Sequence, residues 1–185
     1  FNRLDEDSLL QFEKIFRILR HKIYGIRPPE NILLDLDSTL LKTYGHQEGE
    51  GFNYHYQSHG FHPLLCFDGL TGDLLKAELR KGTKYCSSDA HLFLEPLLNE
   101  FLEQYPDVMI SLRGDSGFAT PEIYDLAETH GCSYAIRLKM NSNSRSSASY
   151  VEADLDELTK DNKIDYAVCY GEFIYKANSW KYAQR

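Results

Sequence analysis

The chain has 185 residues, with 28 acidic against 20 basic side chains and a formal net charge of −8. That length suits one ordinary domain with a real core, and a 42% hydrophobic, 13% aromatic composition excludes disorder. No stretch approaches the roughly 18 apolar residues of a membrane span, residues 1–7 carry no signal region, and the acidic balance argues against binding nucleic acid by bulk charge, so any polyanion site is local or metal-mediated. Cys66, Cys86, Cys132 and Cys169 form no C-x-x-C pair and read as reduced thiols of a cytosolic protein. His55, His59 and His62 are close in sequence, but Gly60 and Pro63 break any helix that would align them on a metal.

Asp7 or Ser8 can cap a first helix whose apolar residues Leu9, Phe12, Phe16, Leu19 and Ile23 recur at helical spacing, with Gly25 and Pro28-Pro29 closing it. The run Ile32-Leu33-Leu34-Asp35-Leu36-Asp37 reads as a buried strand interrupted by two aspartates. Residues 44–62 lack periodicity and read as a long loop or irregular ribbon, with Tyr44, Gln47 and Tyr54 expected to pack. Phe61 to Phe67 and Leu74 to Leu79 read as a hairpin across a turn-rich connector. Ser87, Ser88 and Asp89 offer caps for a helix with Leu94, Leu97, Leu98, Phe101 and Leu102 on one face, where Pro96 is tolerated near the start or at a kink. Val108 to Leu112 is a short strand running into Arg113-Gly114-Asp115-Ser116-Gly117. Thr120-Pro121-Glu122 opens another helix ending at His130-Gly131, and Ser133 to Leu138 is one more strand.

After that the character changes. Residues 141–149 are almost all Asn, Ser and Arg and read as a low-complexity loop; an acidic helical segment from Val151 to Lys160 follows, then strand material over 164–182. The expected domains are a helix and linker over 1–29, a mixed α/β core over 30–140, and a loop, acidic helix and start of a β-rich insertion over 141–185.

In a mixed sheet with this element order, a three-strand meander followed by strand–helix alternation puts the first and fourth strands side by side. Asp35 and Asp37, two apart, project from one face of the first strand, and Asp115 stands where the fourth breaks into a glycine-flanked loop. Buried carboxylates are costly without a cation, and three at one strand edge make a hard oxygen site suited to Mg²⁺ or Mn²⁺. The plainer alternative has Asp37 capping a turn, Asp35 pairing with a basic residue and Asp115 making a local turn.

Two enzyme classes fit a strand ending in Asp35-Leu36-Asp37-Ser38-Thr39. One is the haloacid-dehalogenase-like Mg-dependent phosphatase, with Asp35 as nucleophile, but such enzymes follow the first strand with a helical segment rather than a hairpin. The other fits the hairpin. The blocks Leu34-Asp35-Leu36-Asp37-Ser38-Thr39, Tyr44-Gly45-His46-Gln47-Glu48-Gly49, Gly60-Phe61-His62-Pro63-Leu64, Glu78-Leu79-Arg80-Lys81-Gly82 and Arg113-Gly114-Asp115-Ser116-Gly117-Phe118, with Gly171-Glu172-Phe173 and Ser179-Trp180, resemble the insertion-sequence DDE transposases of the "transposase DDE domain group one" family.

That resemblance implies a ribonuclease-H-like fold and metal-dependent DNA strand cleavage and strand transfer in transposition. By position, Asp37 and Asp115 match the first two catalytic aspartates, and Asp35 is an auxiliary metal ligand or structural partner. Such enzymes hold two Mg²⁺ (or Mn²⁺) ions about 3.5–4 Å apart across a phosphodiester. The implied partners are transposon-end and target DNA and a second copy in a synaptic complex, in the bacterial cytoplasm at the nucleoid. Arg113, Arg137, Lys139 and Arg145 are DNA-contact candidates, with Arg80, Lys81 and Lys84 flanking the site. The third acid of such enzymes lies on a later helix, and Glu152, Asp154 and Glu157 read instead as a solvated face. The chain is therefore expected to stop inside the catalytic domain and to be inactive alone, or to be an inactive transposase-derived DNA-binding or interaction module.

Overall fold

The computed structural model describes residues 6–160 and 166–184. The chain divides into two compact units, Phe1–Arg137 and Leu138–Arg185. In the first, α1 (Glu6–Ile26) precedes β1 (Asn31–Ser38). A small sheet of β2 (Leu41–Lys42), β3 (Gly51–Asn53) and β4 (Ser58–Phe61) comes before the hairpin of β5 (Leu64–Asp68) and β6 (Leu74–Glu78). Then follow α2 (Ala90–Gln104), β7 (Met109–Gly114), a 3-10 turn (Ser116–Phe118), α3 (Pro121–Thr129) and β8 (Ser133–Ile136).

The main sheet has the order β6-β5-β1-β7-β8. β5 runs antiparallel to both β1 and β6, and β7 runs parallel to both β1 and β8. A three-strand antiparallel meander extended by two parallel strands is the ribonuclease-H-like α/β topology that the resemblance implies, and it places the first and fourth main-sheet strands side by side.

Alternation along β1 decides which face does what. Ile32, Leu34 and Leu36 are buried, whereas Leu33 and Asp35 are half-buried and Asp37 is exposed. The buried set packs with Cys66, Ile110 and Leu112 against Leu94, Leu98 and Phe101 of α2 and Ile123 and Ala127 of α3. Each such side chain contributes about 1.5–3 kcal/mol by leaving water. The other face is left to carry polar groups.

Several elements differ from the sequence reading, each for a local reason. α1 begins at Glu6, so Asp7 and Ser8 lie inside it rather than capping it. Its apolar stripe is not its docking face: Phe12, Phe16, Leu19 and Ile23 stay about half exposed. The helix attaches instead through Arg17 and Arg20 to Glu100 of α2 and through Tyr24 to Asp68. Between α1 and the β5–β6 hairpin lies a cavity of about 680 Å³ lined by residues including Phe12, Phe16, Leu65, Leu74 and Leu97, and by none of the three aspartates singled out above.

Asp89 precedes α2 in the left-handed region (φ 58°) and makes no side-chain cap. Its carboxylate accepts from Lys84 Nζ instead (2.7 Å), which also draws its pKa down. Pro96 sits within α2 rather than at its start. Its missing N–H leaves the carbonyl of exposed Leu92 without its usual helical donor. Residues 44–62 are not a loop throughout, because β3 and β4 pair within them and β4 also pairs β2.

In the second unit the Ser/Asn tract is helical. α4 (Ser142–Thr159) opens with a capping box in which Asn141 Oδ1 accepts from Ser144 N (2.9 Å) and Ser144 Oγ accepts from Asn141 N (2.8 Å). Two orphan donors are thereby satisfied, which outweighs the poor helix propensity of the tract. Of the strand material expected over 164–182, the described residues form a single bridge, Tyr175 with Gln184, since strand-forming residues need a neighbouring strand to pair with. Residues 161–165, within both the acidic run and the expected strand, lie outside the described residues.

Candidate functional site

The β1–β7 ladder sets the site. Its register pairs Leu34 with Leu112, Asp35 with Arg113 and Leu36 with Gly114. One step further along each strand stand Asp37 and Asp115, on neighbouring backbones roughly 5 Å apart. Asp115 is extended (φ −75°, ψ −176°), so it continues the alternation of β7. Asp35 and Arg113 meet side chain to side chain on one face, and Asp37 and Asp115, two residues beyond, share it.

The two rungs differ in charge. Arg113 donates from Nε to Asp35 Oδ1 (2.9 Å) and from Nη2 to Asp35 Oδ2 (2.6 Å), a bidentate pair. This bond, followed by the Coulomb attraction of Asp35, raises the Arg113 pKa. Asp37 and Asp115 have no ion-pair partner among the described residues. Asp37 Oδ1 accepts from Ser38 N (2.7 Å), and Asp115 Oδ1 accepts from Gly117 N (2.7 Å), capping the 3-10 turn. The Oδ2 atom of each carries no hydrogen bond among the described residues.

The structure therefore brings Asp37 and Asp115 together and gives Asp35 a different task. No group of three His, Cys, Asp or Glu side chains able to hold a metal occurs among the described residues. Asp35, expected as an auxiliary ligand in a three-carboxylate cluster, has both oxygens committed to Arg113. The local half of the plainer reading, a turn at Asp37 and another at Asp115, is also present; each uses one oxygen and leaves the other. Two exposed carboxylates with idle oxygens and no neutralising base are a donor set that a hard divalent cation fits.

The other candidates sort by burial. Arg113 is occupied by Asp35. Arg80 is buried, 6% exposed, and cannot reach a phosphate as a flanking base. Lys84 pairs with Asp89. Lys81, Arg137, Lys139 and Arg145 are exposed and make no ion pair among the described residues. Glu152, Asp154 and Glu157 are exposed on α4.

Tyr44 and Tyr54, expected to pack, are 88% and 78% exposed, and the Tyr54 ring meets only the edge of the Phe52 ring among the described residues. The histidines serve separate ends. His62 is buried with Nδ1 on the Lys84 carbonyl (2.7 Å), His59 lies 3.6 Å from Glu50, and His55 meets the Tyr56 ring. Cys66 and Cys132 are buried free thiols, and Cys86 and Cys169 are half-buried ones.

Two features escaped the sequence reading. Asp68, 1% exposed, is a buried carboxylate in what reads as a turn; it accepts from the Tyr24 hydroxyl (3.3 Å) and Leu70 N (3.0 Å). Arg80 lies buried beside the site. An Asp-Gly turn and a basic run look solvated in sequence, and only tertiary placement buries them.

A ribonuclease-H-like sheet with carboxylates at the ends of its two central parallel strands defines a class of nucleic-acid-processing enzymes. The whole chain, residues 1–185, matches the model of the family described as "Transposase DDE domain group 1", and it belongs to that family. It is thus a transposase DDE domain, and the phosphatase alternative, which also needs Asp35 free as a nucleophile, falls. A solved structure described as the catalytic domain of Mos1 mariner transposase is similar over 88% of this chain and 76% of that chain, at 14% identity and a TM-score of 0.41. No curated protein matches the chain. No helix among the described residues is long and apolar enough to cross a membrane.

Proposed function

We propose that Asp37 and Asp115 are the first two metal-binding carboxylates of this transposase domain, and that they serve DNA strand cleavage and strand transfer at the ends of an insertion sequence. The observation that carries the reading is their placement, on one face at adjacent ends of two parallel strands, with an idle oxygen each and no basic partner. Mg²⁺ or Mn²⁺ held there, as a pair of ions in the complete centre, supplies a Lewis acid that lowers the pKa of water and stabilises charge on the attacking and leaving oxygens of a phosphodiester.

The chain's own residues hold that centre. The backbone N–H groups of Ser38 and Gly117 each bind one carboxylate oxygen and aim the other outward. Asp35 and Arg113 neutralise one another below the site, so Arg113 does not compete for Asp37. A carboxylate that acts as a ligand forms no covalent bond to DNA, and no serine or tyrosine needs activation. Exposed Arg137, Lys139 and Arg145 are the phosphate contacts of this reading, and two copies join in a synaptic complex with the transposon ends and target DNA. The protein then works where the element's DNA lies, in the bacterial cytoplasm.

The test is strand cleavage of an element-end substrate by the full transposase carrying Asp37→Asn or Asp115→Asn. An amide oxygen preserves each turn but removes the charge. Cleavage should fall by about a thousandfold, the equivalent of several kcal/mol. Wild-type cleavage by either variant sinks the assignment.

A further inference from the structure

Two sequence blocks that the carboxylates leave unexplained, residues 60–64 and 78–82, meet in space. His62 N donates to the Arg80 carbonyl (2.9 Å), and Phe61 forms an isolated bridge with Lys81. Asn53 Nδ2 donates to the Gly82 carbonyl (2.8 Å). Gly82 itself is buried so tightly that a β-carbon there would run into the carbonyl oxygens of Gly51 and Gly60. The Lys84 carbonyl can only accept, so His62 Nδ1 must carry its proton and donate. The small sheet and the stretch from 80 to 88 are thus one stitched unit.

Arg80 is the centre of that unit. Its Nε donates to the His62 carbonyl (3.2 Å), and its Nη1 donates to the carbonyls of Cys86 (3.2 Å) and Ser88 (2.9 Å). Nη2 is buried with no partner among the described residues. Burial lowers the Arg80 pKa. A buried guanidinium held by neutral carbonyls with one idle nitrogen is costly, and an apolar side chain would pack more favourably. What the cation holds in place is the segment 86–88, and that segment abuts the site. A β-carbon added at Gly117 would collide with Cys86 Sγ. Gly117 N, in turn, is the donor on Asp115 Oδ1.

We propose that Arg80 is a positioning residue for the reaction: it fixes the 86–88 segment so that Cys86 seats Gly117, and Gly117 aims the Asp115 carboxylate. The inference rests on the reading of Asp115 as a metal carboxylate. Arg80 touches neither DNA nor the reacting atoms, and acts through two backbone carbonyls and one thiol.

The experiment uses the full-length transposase and two readouts, Mn²⁺ binding by calorimetry without DNA and Mg²⁺-dependent cleavage of an element end, with thermal melting as the check on folding. Arg80→Lys keeps the charge but loses the planar guanidinium that reaches from the His62 carbonyl through Nε to the Cys86 and Ser88 carbonyls through Nη1. It should weaken Mn²⁺ binding by about 10–100-fold, the usual loss when a group orienting a ligand is removed, and raise the Mg²⁺ needed for half-maximal cleavage alike, with DNA affinity unchanged. Gly117→Ala should reproduce that loss, since its β-carbon would meet both Cys86 Sγ and Asp115 Oδ1, and adding Cys86→Gly should recover the part that the sulfur causes.

Wild-type Mn²⁺ affinity in folded Arg80→Lys overturns the proposal. If that variant does not fold, Cys86→Gly alone decides, since wild-type Mn²⁺ affinity there breaks the chain of contacts from Arg80 to Asp115. Failure of the underlying reading looks different: Asp115→Asn would then bind Mn²⁺ and cleave as wild type does.

Discussion

Two rungs of one ladder, two residues apart and on the same face, have opposite electrostatics. The rung of Asp35 and Arg113 is a closed bidentate pair, with side chains 29% and 48% exposed. The rung of Asp37 and Asp115 is two carboxylates on adjacent strand ends. Each accepts one backbone N–H, and neither has an ion-pair partner among the described residues. On the proposed reading the first rung serves the fold and the second the metal, so the two should respond differently to substitution.

The largest test of that contrast compares signs. Asp37→Asn and Asp115→Asn should lose cleavage by about three orders of magnitude while their thermal midpoints rise or hold, because each removes a charge that has no ion-pair partner and keeps its turn. A fall in both stability and cleavage would make the Asp37–Asp115 rung a structural element like the Asp35–Arg113 one.

Next in size is the floor beneath both rungs. Leu34 is fully buried and its neighbours on β1 are half-buried. Leu34→Ala should cost about 2–5 kcal/mol in chemical denaturation through lost transfer energy and the cavity left behind. Mn²⁺ should bind the folded fraction of this variant with wild-type affinity, because the carboxylates lie on the opposite face. Weakened binding there would mean that the two faces are not independent.

A smaller effect comes from the buried carboxylate Asp68, whose charge is balanced by donors alone. Burial, then the charge of Asp68, push the Tyr24 hydroxyl up to about 12 from its ordinary 10.0. A raised pKa means the stabilisation is complete below pH 10 and fades as the phenol ionises between pH 10 and about 12. Tyr24→Phe should therefore cost about 1 kcal/mol at neutral pH, and its deficit against wild type should shrink across that alkaline window. A deficit independent of pH would mean that neither burial nor Asp68 raises the phenol in the folded protein.

The order of elements and the pairing of β1 with β7 were legible in the sequence because both follow from apolar periodicity and from the rule that parallel neighbours need a crossover helix. Asp37 and Asp115 were legible as charged residues at strand ends, a local pattern. The pairing of Asp35 with Arg113 was not, since 78 residues separate them and either could have met another partner. Burial of Arg80 was hidden for the same reason: its run, Leu79-Arg80-Lys81-Gly82, looks solvated until the small sheet folds over it. The α1 stripe misled in the other direction, because spacing reports an amphipathic helix but not which of its faces docks. The first half of helix α4 looks like a loop by propensity alone, and the Asn141–Ser144 capping box is what makes it helical.

The smallest expected effect falls on the closed rung. Asp35→Asn should lower stability slightly, because Arg113 is solvent-exposed and water replaces much of what the pair supplies. Cleavage should persist at a substantial fraction of wild type, since neither oxygen of Asp35 is available to a metal in the first place. A charge reversal, Asp35→Arg with Arg113→Asp, should restore the stability lost by either single change, as measured in a double-mutant cycle. Asp35→Asn thus predicts lower stability with retained cleavage, and Asp37→Asn predicts retained stability with lost cleavage. Complete loss of cleavage in folded Asp35→Asn, uncorrected by the reversed pair, would move Asp35 from the fold to the metal and erase the distinction between the rungs.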